Sequence, residues 1–232
     1  MEINKIHNQD CFSLFNELKQ SSIDLILTDP PYTISKDTGF SSVKNGVKRF
    51  AVSMDFGSWD KEQVDLLQMC NSFYDLIRVG GTCIVFYDIW KITELKSAME
   101  LSGFKMLRLI QWEKSNPVPL NSSVNYLTNS REIAILGVKG GKPTFNSKYD
   151  TGVYTYPIEH GRHRFHPTQK PYNLIKDLVL KHSNKDDIVL DPFMGSGTTV
   201  VACVDTDRQY IGCEIDSEYY KLANDRINKN FK

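Results

Sequence analysis

Residues 23–32 read Ile-Asp-Leu-Ile-Leu-Thr-Asp-Pro-Pro-Tyr, and the predicted fold is built around this stretch. Its first half is mostly apolar and of strand length, which is typical of a buried strand. Pro30 and Pro31 have no backbone N–H, so the strand must end before them. Asp29 and Tyr32 therefore stand at the carboxyl end of a strand, where open parallel sheets bind ligands. They form a candidate socket for a flat polar substrate, although a proline turn that merely ends a strand fits the same residues.

Apolar periodicity predicts alternating strands and helices along the rest of the chain. Asp10 suits the N-cap of the first helix, and Gly80-Gly81 should stop a helix that begins near Asp60. Such alternation predicts an α/β fold with a doubly wound, mostly parallel sheet. The strands at 105–113 and 132–138 should form an antiparallel pair, because no helix joins them. The other strands are predicted at about 3–9, 23–28, 82–87, 187–191 and 209–215, and the helices at about 11–19, 60–77, 91–102, 171–182, 198–206 and 217–229.

The composition is that of an ordinary globular protein. The chain has 232 residues, of which 41% are hydrophobic and 24% charged, and this suits one large α/β domain or two small ones. No apolar run approaches the roughly 18–20 residues of a membrane span, and the N-terminus lacks the apolar core of a signal peptide. The five cysteines are scattered without a C-x-x-C pair. We therefore expect reduced thiols, no metal site and a cytoplasmic protein.

Charge is distributed unevenly although the net charge is zero, a value that argues against a general nucleic-acid binder. Residues 139–171 hold six basic and two acidic side chains, whereas residues 183–232 hold six basic and nine acidic ones. A basic middle segment favours one surface for a polyanion. A solvated loop whose charges have no partner is the alternative interpretation.

Residues 191–199, Asp-Pro-Phe-Met-Gly-Ser-Gly-Thr-Thr, form a second informative stretch. A predicted strand runs into a glycine-rich turn that opens a helix, and Gly195 and Gly197 permit close approach of a ligand. Glu214 follows at the end of the next strand, where an acid typically binds a ribose hydroxyl. Val200 stands where dinucleotide-binding turns have a third glycine, which disfavours a diphosphate. The turn therefore predicts a nucleoside cofactor without phosphate, and S-adenosylmethionine (AdoMet) is the obvious candidate.

A third stretch, His166-Pro-Thr-Gln-Lys-Pro171, precedes the predicted helix at 171–182. Thr168 offers a hydroxyl and Lys170 an ammonium just before a helix N-terminus. Such groups suit a carboxylate like that of a methionine tail. A proline-bounded helix entry with an incidental lysine is the alternative.

Taken together and in this order, the three motifs resemble those of the DNA amino-methyltransferases over nearly the whole chain. The catalytic motif precedes the cofactor motif, as in the β group of that family. The resemblance implies one methyltransferase catalytic domain spanning residues 1–232. Its fold would be a Rossmann-like, seven-stranded AdoMet-dependent fold in circularly permuted form.

The resemblance also assigns roles to individual residues. Asp29, Pro30, Pro31 and Tyr32 match the catalytic motif. Asp10 matches an acid near the adenine of the cofactor, Glu214 the ribose-binding acid and Asp191 an acid near the methionine amino group. The full set expected at the cofactor comprises Asp10, Thr168, Lys170, Asp191, Phe193, Gly195, Gly197, Thr198 and Glu214.

The implied reaction is methyl transfer from AdoMet to an exocyclic amine of a base in double-stranded DNA. An aspartate at the first position of the catalytic motif favours adenine N6, and cytosine N4 is the alternative. Asp29 and the Pro30 carbonyl would accept hydrogen bonds from the amine and stabilise its developing positive charge. The base must be flipped out of the duplex, and Tyr32 would stack on it. No metal is required, because the sulfonium already activates the methyl group.

Two segments without clear periodicity flank the expected pocket in sequence. We expect residues 33–58 to form a mobile loop and residues 139–165 to form a small target-recognition segment. Phosphate contacts are expected from Lys44, Lys48, Arg49, Arg162 and Arg164. The resemblance leaves open a homodimer and a cognate restriction endonuclease as partners.

Other functions compete with this one. A NAD-dependent oxidoreductase would use a similar glycine turn, but it leaves the Asp-Pro-Pro-Tyr motif unexplained. An RNA or protein methyltransferase would use a related proline turn, usually with asparagine in place of Asp29.

Overall fold

The structure is a computed structural model that describes residues 2–31, 64–118, 127–160 and 169–230. Six helices and eight strands lie within these ranges. The strands are β1 Lys5–His7, β2 Ile23–Thr28, β3 Ile77–Tyr87, β4 Lys105–Lys114, β5 Arg131–Val138, β6 Val153–Tyr156, β7 Ile188–Asp191 and β8 Gln209–Cys213. The helices are α1 Cys11–Glu17, α2 Leu66–Leu76, α3 Ile92–Ser102, α4 Tyr172–His182, α5 Thr198–Val204 and α6 Ser217–Asn230.

All eight strands join one sheet in the order β1-β8-β7-β2-β3-β5-β4-β6. The pairs from β1 to β3 are parallel, and β5 runs antiparallel to both β3 and β4. The predicted α/β class, the mostly parallel sheet and the antiparallel β4–β5 pair are therefore confirmed. Strand β2, which precedes the Asp-Pro-Pro-Tyr motif, also lies directly beside β7, which precedes the glycine turn, although more than 150 residues separate them in sequence.

The sheet has one strand more than the seven that were predicted. Strand β6 pairs in parallel with β4, with Tyr154 opposite Trp112. It is only four residues long, and its one buried side chain, Tyr154, leaves no detectable alternation in the sequence. The N–H of the Trp112 indole donates to the Tyr156 carbonyl at 2.8 Å, which secures this edge of the sheet.

The sheet separates two apolar cores. One core lies under α4, α5 and α6, and the other lies under α1, α2 and α3. Strand β2 contributes to both, because Leu25 and Leu27 face the first core and Ile23 and Ile26 the second. This two-sided burial explains why its sequence is a nearly continuous apolar run.

Helix α2 begins and ends differently from the prediction. Its N-cap is Asp65, whose carboxylate accepts from the backbone N–H groups of Leu67 and Gln68 at 3.0 Å, so the helix does not start near Asp60. It ends at Leu76, and Gly80-Gly81 lie inside β3. A β-carbon on Gly81 would come within 3.0 Å of the carbonyl oxygen of Asp24, so glycine allows β3 to pass close to β2.

Several predictions fall partly or wholly outside the described ranges. The loop at 33–58 lies outside them, as do residues 161–165 of the target-recognition segment. Residues 139–160 are described, and Lys181 of α4 holds this part of the segment by an ion pair of 2.8 Å with Asp150. No helix in the described part of the chain is long and apolar enough to cross a membrane.

Candidate active site

The carboxyl ends of the parallel strands bring the motif residues to one edge of the sheet. Helix α2 follows β2 on one face, and α5 follows β7 on the other. In an open α/β sheet, neighbouring strands with this arrangement mark the place where a ligand-binding crevice is expected, and Asp29 and Asp191 stand on its two sides. The Thr28 hydroxyl lies between the two strand ends and donates to Asp191 Oδ1 at 2.8 Å.

Asp29 is held by one of its two oxygens. Its Oδ2 accepts from the ammonium of Lys170. Its Oδ1 is buried and has no hydrogen-bond partner among the described residues. A buried acceptor of this kind is costly unless a ligand satisfies it. Pro30, which is buried, and Pro31 fix the backbone just beyond this carboxylate.

Lys170 belongs to a longer ion-pair network that consists of Lys114, Glu132, Lys170 and Asp29. The ammonium of Lys170 lies 3.0 Å from Glu132 Oε2 and 5.1 Å from the centre of the Phe86 ring. The other oxygen of Glu132 lies 2.8 Å from the ammonium of Lys114. The network thus joins the end of β4, the start of β5, the segment before α4 and the end of β2.

Burial and charge act in opposite directions on the two carboxylates of this network. Burial raises the pKa of Asp29, Lys170 lowers it in part, and the negative charge of Glu132 adds to the increase. Burial would also raise the pKa of Glu132, but Lys170 and Lys114 together hold that pKa below its usual value. Glu132 is therefore a firmly ionised partner for both lysines, while Asp29 is a more basic acceptor than an exposed aspartate.

Asp191 is the second carboxylate of the crevice. It is 5% exposed, and burial raises its pKa to about 6. Hydrogen bonds from Thr199, Thr28 and the backbone N–H of Phe193 limit that rise. Phe193 itself is half-buried at the start of the glycine turn.

Glu214 fastens the glycine turn to the end of β8. Its two carboxylate oxygens accept from the backbone N–H groups of Gly195 and Asp216, each at 2.9 Å. A carboxylate has further lone pairs, so both oxygens remain able to accept from a ligand. Gly195 has a φ of +49°, and a β-carbon there would meet nothing within 4 Å. Open space therefore lies in front of the turn at this residue.

Gly197 has a different task from Gly195. It has a φ of +73° as the N-cap of α5, and a β-carbon on it would approach the β-carbon of Ala223 to 3.1 Å. The close packing of α5 against α6 and the positive φ therefore both favour a glycine here. The guanidinium of Arg226 in α6 donates to the Ser196 carbonyl at 3.1 Å and to the Thr198 hydroxyl at 3.0 Å.

Asp10 lies just beyond β1 at the same edge of the sheet. It caps α1, as predicted, by accepting from the Ser13 backbone N–H at 2.9 Å. The neighbouring Asn8 amide donates to the carbonyls of Glu214 and Ile215 at 2.8 and 3.1 Å. The segments that carry Asp10 and Glu214 are therefore joined directly.

The structure thus brings together most of the residues that the motifs predicted, with Asp29 and Pro30 on one side of the crevice and Asp191, Gly195 and Glu214 on the other. Lys170 contacts the carboxylates of Asp29 and Glu132, and its predicted place near the methionine part of the cofactor stays a prediction. Tyr32, Thr168 and the five predicted phosphate-binding residues Lys44, Lys48, Arg49, Arg162 and Arg164 lie outside the described residues. Their roles stay predictions.

Sequence reasoning missed Glu132 and Lys114. Each stands near the end of a strand beside one residue of opposite charge, a pattern typical of an exposed edge. Only the antiparallel course of β5 turns its first residues toward the carboxyl ends of the parallel strands. In the part of the chain that the structure describes, no group of His, Cys, Asp and Glu side chains is arranged to hold a metal ion.

Comparison with known proteins identifies the family of this chain. Residues 23–225 match a family model described as DNA methylase. The chain is 34% identical to the type II methyltransferase M2.LlaDCHI of Lactococcus lactis subsp. cremoris, and the alignment covers 95% of this chain and 87% of that protein. It is 32% identical to the type II methyltransferase M2.DpnII of Streptococcus pneumoniae, with coverage of 95% and 88%.

Solved structures agree with this placement. The M1.HpyAVI–SAM complex superimposes with a TM-score of 0.74 at 30% identity, covering 97% of this chain and 98% of the other. The cytosine-N4-specific PvuII DNA methyltransferase superimposes with a TM-score of 0.73 at only 15% identity, over 100% and 92% of the two chains, and this likeness concerns the fold alone. The family model and the curated relatives indicate the same family, and the motif residues gathered between β2 and β7 agree with it. The chain belongs to the DNA methylase family that comprises the N6-adenine and N4-cytosine amino-methyltransferases.

Proposed function

We propose that this DNA methyltransferase transfers the methyl group of AdoMet to N6 of an adenine that is flipped out of double-stranded DNA. The observation that carries the proposal is the carboxylate of Asp29. One of its oxygens is fixed by Lys170, and the other is buried without a partner among the described residues. A carboxylate that is held in place and has one oxygen without a partner can accept a hydrogen bond from the N–H of an exocyclic amine.

The residues of the crevice fit AdoMet. Glu214 keeps lone pairs for the hydroxyls of a ribose, and open space lies in front of Gly195. Asp191 offers a carboxylate to a cationic amino group. When bound there, AdoMet supplies a methyl group that its sulfonium has already made electrophilic. The chain itself then has only to position the two reactants and stabilise charge.

Asp29 stabilises the charge that develops on the amine. The exocyclic nitrogen is a poor nucleophile, because its lone pair is conjugated with the ring. Hydrogen bonds from its N–H groups to Asp29 Oδ1 and to the Pro30 carbonyl localise that lone pair and stabilise positive charge. In the transfer, the nitrogen would form a bond to the methyl carbon as the carbon–sulfur bond breaks, and the electron pair of that bond would stay on sulfur. The extra proton on nitrogen leaves for water afterwards, so Asp29 need not act as a strong base.

The base is the part of the proposal that needs direct evidence. The N4 amine of cytosine presents the same N–H groups to Asp29, so cytosine is the competing target within the family. Adenine is favoured because an aspartate, and not a serine, opens the Asp-Pro-Pro-Tyr motif of this chain.

Methyl transfer from labelled AdoMet to plasmid DNA, followed by single-molecule sequencing of the product, tests the proposal. We expect N6-methyladenine at one short recognition sequence. Label on N4 of cytosine would overturn the choice of base. Unmodified DNA in the presence of measurable AdoMet binding would overturn the proposed reaction.

The proposal extends to the partners and the location of the enzyme. Lys44, Lys48, Arg49, Arg162 and Arg164 would contact DNA phosphates. The short segment at 139–165 would read a recognition site of few base pairs. We also propose a cognate restriction endonuclease and a homodimer as partners and a cytoplasmic location; the description of a relative as a type II methyltransferase supports a restriction–modification role.

A further inference from the structure

Glu132 and Lys114 have no place in the reaction described above, yet they complete the ion-pair network that ends on Asp29. We infer that Glu132, supported by Lys114, is a positioning residue that fixes Lys170 and thereby directs the vacant oxygen of Asp29 at the substrate amine. This inference rests on the proposed role of Asp29 as the acceptor of the amine.

The first argument concerns the freedom of Lys170. A lysine carries a point charge on a flexible four-carbon stem, so a single carboxylate does not define its position. Here the ammonium touches Asp29, lies 3.0 Å from Glu132 and lies 5.1 Å from the Phe86 ring centre. These three contacts come from three strands, and the Lys170 side chain is only 8% exposed. Together they restrict the ammonium to a single position. Because the Lys170 ammonium is fixed in position, its hydrogen bond also fixes Asp29 Oδ2. The carboxylate can then point Oδ1 in only one direction.

The second argument concerns charge. The network holds two carboxylates and two ammonium groups and is neutral as a whole. Its side chains are 8% exposed at Lys170, 11% at Lys114, 23% at Asp29 and 28% at Glu132. Removal of Glu132 would leave two partly buried lysines with one carboxylate between them, and such an imbalance is unfavourable. Lys170 would then be drawn fully onto Asp29, and the carboxylate would become a weaker acceptor for the substrate.

The third argument is that other described charges near Asp29 cannot replace Glu132. Lys170 faces Asp29 from the segment before α4, Glu132 from β5 and Asp191 from β7. Asp191 is bonded to Thr28 and the Phe193 N–H, and no ion pair joins it to Lys170. Among the described residues, Glu132 is therefore the one carboxylate besides Asp29 that holds this lysine.

The variant Glu132→Gln tests the inference, because it removes the charge and keeps the shape. The matched control is Glu113→Gln, since Glu113 neighbours the network on β4 but pairs at 3.8 Å with the exposed Arg131. We expect Glu132→Gln to lower the single-turnover rate about 10- to 100-fold, as expected for a displaced reacting group. AdoMet affinity and the KM for DNA should stay near those of the wild type, and the control should behave like the wild type.

The pH profile separates positioning from mere support of the fold. Glu132 raises the pKa of Asp29, so its loss should move the acid limb of the rate–pH profile to lower pH. Glu132→Asp, which restores the charge, should return that limb toward its wild-type position. An unshifted limb, or a rate equal to that of Glu113→Gln, would overturn the inference.

Two further measurements keep the test decisive. Should Glu132→Gln fail to fold, Lys114→Gln removes the support from the far end, and it should lower the rate without loss of AdoMet binding; an unchanged rate would contradict the inference. The wild-type enzyme is assayed in the same series. If the wild type does not methylate an amine in DNA, the proposed function fails, whereas active wild type with unaffected network variants refutes only the positioning role.

Discussion

Asp29 differs from an ordinary surface aspartate in that its two oxygens have different environments. One is bonded to Lys170, and the other is buried without a partner in the described part of the chain. An isosteric change to asparagine keeps the volume and the turn but removes the negative charge. The effect of this change should therefore appear in transfer and not in cofactor binding.

We predict that Asp29→Asn lowers the rate of methyl transfer by at least about 100-fold, the usual effect of losing one preorganised electrostatic group. AdoMet affinity, measured by titration calorimetry, should stay within a few-fold of the wild type, because the residues proposed to hold the cofactor are untouched. Asp75→Asn on α2 is the surface control. Lost AdoMet binding together with unchanged turnover would contradict the assigned role.

Asp191 makes a prediction about pH. Burial raises the pKa of its carboxyl to about 6 in the folded chain, above the 3.8 of an exposed aspartate. The folded state therefore binds this proton more tightly than the unfolded state does. Its contribution to stability is present below about pH 4 and is lost as the pH rises through 6.

The variant Asp191→Asn has no charge to bury, so it does not lose stability in this way as the pH rises. We expect its melting temperature, relative to that of the wild type, to increase between pH 4 and pH 7. Thermal unfolding in matched buffers measures the difference. A constant offset between the two proteins over this range would show that Asp191 does not titrate there.

The sequence indicated Asp29, Gly195 and Glu214 because each belongs to a motif that is local in sequence. It did not indicate Glu132 or Lys114, whose importance depends on the position of Lys170. Lys114 comes from β4, Glu132 from β5 and Lys170 from the segment before α4. The order of strands in the sheet brings the three together. Local patterns carry no information about such an arrangement.

At the scale of elements, the glycine turn before α5 separates two roles that look alike in sequence. Gly195 and Gly197 both have positive φ, so an alanine at either position costs about 1–2 kcal/mol in backbone strain. Only at Gly197 would the new β-carbon also press on α6, through Ala223 at 3.1 Å. At Gly195 it would enter the open space that we assign to the cofactor.

We therefore predict opposite balances for two alanine variants. Gly197→Ala should lower the free energy of unfolding in urea more than Gly195→Ala does. Gly195→Ala should weaken AdoMet binding more than Gly197→Ala does. Equal AdoMet affinity of Gly195→Ala and the wild type would show that the cofactor does not lie in front of this turn.

Element boundaries show which sequence signals were sufficient. Asp10 was recognised as a helix cap because an apolar face follows it directly. The predicted start of α2 near Asp60 is too early, because Asp60 and Asp65 are both residues that suit a helix cap and the structure has Asp65 as the N-cap. Gly80-Gly81 usually signal a helix end, but here they let β3 lie close against β2. A local signal is therefore sufficient for Asp10, whereas the glycine pair depends on a tertiary contact between β2 and β3.

At the scale of the whole molecule, the proposed cofactor site joins segments from nearly every layer. Asp10 follows β1, Asp191 ends β7, Glu214 follows β8, and the glycine turn is secured from α6 by Arg226. Both apolar cores meet the sheet beneath this edge. A ligand bound there should therefore stabilise the fold as a unit and not one segment alone.

We predict that AdoMet at about 100 times its dissociation constant adds about 2.7 kcal/mol to the free energy of unfolding. For a domain of this size, that corresponds to an increase of about 5–10 °C in the melting temperature. NAD should give no increase, because Val200 stands where a dinucleotide-binding turn has its third glycine. Differential scanning fluorimetry with each ligand measures both effects, and Asp29→Asn should respond to AdoMet like the wild type. Stabilisation by NAD without stabilisation by AdoMet would contradict the assignment of the crevice to a methyl donor.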